Sequence, residues 1–121
     1  MATATLTHQI VNTGEAAKYS CTLTNADTDC APLTAHEYGD RHVQSGTSGT
    51  TGFGTGTVVV QGSNDGTNWF SLTDPQGNAI SKTTASLETI METPLYTRAA
   101  ITGATGGESV PVIFFCRRTR K

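Results

Sequence analysis

The densest group of potentially reactive side chains is His36-Glu37-Tyr38-Gly39-Asp40-Arg41-His42. Imidazoles and carboxylates this close together can hold a metal ion or exchange protons. The spacing does not fit a helix-borne His-Glu-x-x-His site. The second histidine comes six positions after the first, and Gly39 weakens any helix. Laid out as a strand, positions 36, 40 and 42 share a face, which makes a His36-Asp40-His42 site conceivable. A charged surface segment explains the same residues without a ligand and is the preferred reading.

The remaining chemical signals are weaker. Gly52-x-Gly54-x-Gly56 lacks the third glycine of a dinucleotide loop and the Gly-Lys-Ser/Thr of a phosphate loop, so it reads as backbone softening. There is no Gly-x-Ser-x-Gly nucleophile turn. Glu88 and Glu92 fall at surface positions by pattern, and a domain of this size has little room for the cleft a carboxylate pair needs. Asn64-Asp65-Gly66 and Asp74 offer oxygen ligands for calcium, but turn formation accounts for them. Cys21 and Cys116 lie in strand-like runs and read as small core residues, whereas Cys30 sits in a polar stretch that reads as an exposed loop. Three cysteines do not form the even set of a secreted disulfide scaffold. The expectation is a protein with no catalytic residue, metal or cofactor.

The elements that must position these residues are strands. Thr57 to Gln61 is β-branched and enters the turn Gly62-Ser63-Asn64-Asp65-Gly66-Thr67-Asn68, after which Trp69 and Phe70 lead out. Asn, Asp and Gly tolerate the positive φ of a tight reversal, so a β-hairpin is predicted, with its aromatics returned against the first strand and Trp69 in the core. Lys18 to Thr24 and Tyr96 to Thr102 alternate with period two, as half-buried strands do. Thr5 to Val11 and Ala79 to Thr83 are weaker strand candidates, Asn25 to Leu33 reads as a loop, and a short helix closed by Pro94 is one reading of Leu87 to Glu92. From Val110 to Cys116 the chain is apolar on both faces, as in a central strand or an interface. The segment 44–56, rich in Gly and Thr, is either a mobile loop or a glycine-softened strand packed close to another backbone. Seven or eight short strands separated by turn signals predict one all-β domain over residues 1–121, a β-sandwich or jelly roll of antiparallel strands.

Composition supports this. Leu, Ile, Val and Phe number only 22 of 121 residues, but the net charge of −2 is too small for a disordered chain. Twenty-three threonines supply the β-branched surface that thin strands need. No run approaches the ~18 apolar residues of a membrane span. The first residues lack the basic start and apolar stretch of a signal peptide, so synthesis in the cytoplasm is expected. Arg117, Arg118, Arg120 and Lys121 put four of the eight basic residues at the very end. The remaining four basic and ten acidic side chains leave the body at −6. Such a tail suits an acidic protein surface, or simply stays solvated. Without interleaved aromatics it does not suit single-stranded nucleic acid.

From Phe53 to Arg118 the sequence resembles small structural proteins encoded by tailed bacteriophages and prophages. The residues that carry the resemblance are Gly54-Thr55-Gly56-Thr57-Val58, Gln61-Gly62-Ser63-Asn64-Asp65-Gly66-Thr67-Asn68-Trp69 and Leu72-Thr73-Asp74-Pro75-Gln76-Gly77-Asn78-Ala79-Ile80, with Tyr96-x-Arg98 and the late Val-Pro-Val-Ile strand. The Gly-Ser-Asn-Asp-Gly-Thr-Asn-Trp string is similar to one in discoidin-like carbohydrate-binding modules. The resemblance implies a virion component, of the capsid cement or decoration type or a head fibre. It would bind the major capsid protein on the outer surface of the shell, as a dimer or trimer with copies of itself, and engage neither membrane nor nucleic acid. In that reading Arg117, Arg118, Arg120 and Lys121 are the expected capsid contacts. The alternative is a carbohydrate-binding or host-adhesion module on the virion.

Overall fold

A computed structural model describes residues 2–11, 16–34 and 38–118. Among them there is no helix, and eleven strands form two sheets facing each other. The strands are β1 (Ala2–Ala4), β2 (Thr7–Val11), β3 (Ala16–Thr24), β4 (Asp27–Cys30), β5 (Asp40–Ser45), β6 (Thr57–Ser63), β7 (Phe70–Ser71), β8 (Ser81–Lys82), β9 (Ser86–Ile90), β10 (Tyr96–Thr102) and β11 (Ser109–Arg117). The six-stranded sheet runs β1-β4-β10-β6-β7, with β8 also on β6, and the five-stranded sheet runs β2-β3-β11-β5-β9. All pairings are antiparallel except β1 on β4. The all-β sandwich expected from the sequence is therefore the architecture. Its strands outnumber the expectation because several have only two or three residues.

Side-chain alternation builds the core. Tyr19, Cys21 and Leu23 of β3 meet Val110, Val112, Phe114 and Cys116 of β11 and Val43 of β5 on one inner face. Val58 and Val60 of β6, with Ala99 and Ile101 of β10, form the other. β11 is central in its sheet, which explains its two apolar faces. Ile113 and Phe115 cover its outer side and are half-buried.

The segment 46–56 is a succession of turns pinned to the body. Its Phe53 is fully buried, and Gly52 packs directly on the backbone of Ser109. The close packing on another backbone is present, but as turns and not as the glycine-softened strand expected, because among the described residues no neighbouring strand pairs with this stretch. Glu108 completes the junction. Its carboxylate accepts from Thr55 N at 3.1 Å, Thr105 N at 3.2 Å and Gly106 N at 2.7 Å. Burial alone would raise this carboxyl, but the converging N–H donors outweigh it and hold the group down at about 2.

Three expectations are corrected. Asn25 to Leu33 is not wholly loop. A clasp of Thr24 N and Oγ1 on Asp27 Oδ2 turns the chain, and β4 then finds backbone partners in β1 and β10. With β4 formed, Cys30 is buried rather than exposed. Leu87 to Glu92 is not helical. Six residues are too few to nucleate a helix against a free strand edge, and Ser86–Ile90 pairs with β5 instead.

Candidate functional site

The described surface is most distinctive at one end of the sandwich, where β6 ends, β10 begins and β11 runs out. Arg41 fastens the two sheets there. It is 1% exposed on β5, opposite Cys116 of β11. Its guanidinium donates to Tyr38 O at 3.2 Å, Pro94 O at 3.1 Å and Thr97 Oγ1 at 3.0 Å. Burial pushes the Arg41 guanidinium below its ordinary value. Burial likewise pushes the neighbouring Cys116 thiol up to about 11, with Arg41 opposing the rise. The expectation of a solvated charged segment over residues 36–42 therefore fails at Arg41, which is a structural bolt.

The turn after β6 is rigid by construction. Asp65 Oδ1 accepts from Thr67 N at 2.8 Å, Asn68 N at 2.9 Å and Ser63 Oγ at 2.8 Å, while Asn68 Nδ2 donates to Asp65 Oδ2. These donors, Asn68 N first, hold the carboxyl far below the usual carboxylate range. Gly66 takes φ of +76°, as the Asn-Asp-Gly signature predicts.

The hairpin itself is present, with Gln61 opposite Ser71 and Gly62 opposite Phe70. Its aromatics are not where the sequence placed them. Trp69 is half-buried on the outer face of the six-stranded sheet, 4.0 Å from the Arg98 guanidinium that lies over its ring. Arg98 is fixed by Gln61 Oε1 at 2.9 Å and by an ion pair with Asp29 at 2.8 Å. Phe70 is 69% exposed. The reason is the sheet edge: β7 is a terminal strand, and nothing among the described residues lies beyond it to cover an aromatic.

Phe70 overhangs an open groove of about 560 Å³ floored by Gly62, Leu72 and Pro94. A Cβ at Gly62 would come within 2.4 Å of Pro94 Cγ, so the glycine lets Pro94 settle on β6. Polar side chains also line the groove, but their hydrogen bonds run inward. Asn64 Oδ1 accepts from Leu95 N at 2.9 Å, Asp65 holds its own turn, and Glu92 accepts from Thr73 N at 2.8 Å. Met91 and Leu95 flank this end and are 55% and 40% exposed. What the end offers a partner is mainly hydrocarbon on a stiff frame.

The expected contact residues fall partly here. Arg117 ends β11 next to Cys116, with its side chain 3.9 Å from Asp40, and Arg118 is exposed. Arg120 and Lys121 lie outside the described residues, as do His36 and Glu37. Asp40 and His42 share the outer face of β5, as alternation required. Among the described residues, no three His, Cys, Asp or Glu side chains group to hold a metal. Asp65 and Asp74 each satisfy a separate turn, and Glu88 and Glu92 bond to separate partners, Lys82 and Thr73. Sequence reasoning missed Phe70, Met91 and Leu95. Strand alternation was the available signal, since Trp69 and Phe70 cannot both face inward.

No family model matches the sequence, no curated protein matches it, and no solved structure matches the fold.

Proposed function

We propose that this chain is a capsid cement protein of a tailed bacteriophage that binds the major capsid protein through the end of the sandwich described above. The observation that supports the reading most is the concentration there of exposed apolar side chains, Phe70, Met91 and Leu95, beside the basic end of β11. Aromatic and methionine side chains are enriched in protein contact surfaces, and a rigid presenting frame lowers the entropy lost on docking. A basic rim adds steering toward an acidic surface. Many copies on a symmetric shell reinforce it even when each contact is modest. The resemblance of residues 53–118 to phage structural proteins points the same way.

Phe70 also favours a second reading, a carbohydrate-binding module, since an exposed ring beside a groove is what a sugar face stacks on. The inward commitment of Asp65, Asn64 and Glu92 makes it the weaker reading, because few polar atoms are left to select hydroxyl groups. Sedimentation of the protein with capsid shells decides between them. The wild-type chain should co-sediment, and Phe70→Ser should not. Glycan-array binding that Phe70→Ser abolishes, with no shell binding by the wild type, would establish the second reading.

A further inference from the structure

The five- and six-stranded sheets are joined by the tight corner between β3 and β4, and two cysteines face each other across it. Thr24 and Asp27 clasp the corner, and Cys21 and Cys30 each lie three residues back from that clasp on opposite sheets. Both side chains are buried in the core. Ala99 N donates a hydrogen bond to Cys30 Sγ at 3.2 Å, and the two thiols are neighbours close enough to perturb each other's ionisation. Cys116 is buried too, but it lies on β11 at the other end of β3 from the clasp, opposite Ala17. We propose that Cys21 and Cys30 are a modification site at which a peroxide converts the dithiol to a disulfide linking the two sheets. This goes beyond the cement reading and is independent of it.

The chemistry follows from the geometry. The neighbouring Cys21 side chain first, and the Ala99 N–H with it, favour a thiolate on Cys30, which lies below the ordinary cysteine value. Cys30 Sγ attacks one peroxide oxygen, the O–O bond breaks, and a sulfenic acid and one water result once a proton is taken up. Cys21 Sγ then attacks Cys30 Sγ, its proton leaves with the departing hydroxide as a second water, and the S–S bond forms. The dithiol loses two electrons and the peroxide gains them. Access is through β1, which has only three residues and covers Cys30 by pairing Ala4 with it. Lifting so short an edge strand is a local opening well below global unfolding.

The test uses the full wild-type chain. The protein is treated with hydrogen peroxide, unfolded, alkylated without reduction and digested with trypsin. The peptide Tyr19–Arg41 carries both cysteines and excludes Cys116. It should be lighter by two hydrogens and resistant to alkylation, with Cys116 fully alkylated. The oxidised protein should melt roughly 5 °C or more above the reduced one, reversibly with dithiothreitol. Alkylation at both positions, sulfinic acid on Cys30 with Cys21 alkylated, or a bond to Cys116 would overturn the proposal. So would a lowered melting point, because the sheets would then not hold the sulfurs in bonding geometry.

Discussion

Replacing Gly52 by alanine isolates how the glycine-rich segment is fastened to the sandwich. Gly52 has φ of +85°, and a Cβ there would stand 2.2 Å from Ser109 O. Two penalties follow. A left-handed backbone disfavours alanine by about 1–2 kcal/mol. Relieving the contact also parts Gly52 O from Ser109 N, now bonded at 2.8 Å, which removes a further ~0.5–1.5 kcal/mol. The sum is about 1.5–3.5 kcal/mol, a large share of the ~5–15 kcal/mol that holds a domain together. Gly77→Ala is the matched control. Its φ is +88° and a Cβ there meets nothing within 4 Å, so only the backbone term applies. Urea unfolding followed by fluorescence should place the Gly52→Ala midpoint below that of Gly77→Ala, and both below wild type. With a slope of ~1–3 kcal/mol per molar urea, the wild-type gap is about 0.5–3.5 M for Gly52→Ala. Equal midpoints for the two variants would show that the Ser109 contact does not restrain the segment.

Other outcomes are expected from the same geometry. Trp69→Ala should remove about 1–2 kcal/mol, the scale of a half-exposed ring over Arg98; a loss above ~3 kcal/mol in urea titration would return Trp69 to the core. Phe70→Ser should leave the unfolding midpoint within ~0.5 kcal/mol of wild type while abolishing co-sedimentation with shells. The Glu108 carboxyl titrates at about 2 in the fold against 4.5 otherwise, so its stabilisation is complete above the unfolded value and is lost as pH falls from about 4.5 to about 2. Melting curves over that range should be flatter for Glu108→Gln than for wild type. Replacing Arg118, Arg120 and Lys121 by serine should weaken shell attachment and reduce its salt dependence; unchanged attachment across salt would remove the tail from the contact.

Much of the framework is legible in local pattern. Period-two alternation fixes β3, β10 and β11 because a strand with one buried face must alternate, and β11 declares its central place by being apolar on both sides. The Asn-Asp-Gly turn is legible because it needs positive φ and its side-chain bonds are all local. β4 is not legible, since Asp-Thr-Asp-Cys has no strand signature until β1 and β10 supply its backbone partners. Arg41 reads as solvent-exposed because its acceptors include Pro94 O and Thr97 Oγ1, more than fifty positions away.

By itself the sequence determined the all-β class, the hairpin at residues 57–72 and the basic character of the C-terminus, because each depends on neighbours within a few residues. Only the tertiary structure decided that Trp69 rests on Arg98, that Phe70 stands in the open and that Cys21 meets Cys30. Those outcomes depend on which strand ends a sheet and how the two sheets turn at their corner, and that ordering is set by contacts between distant parts of the chain.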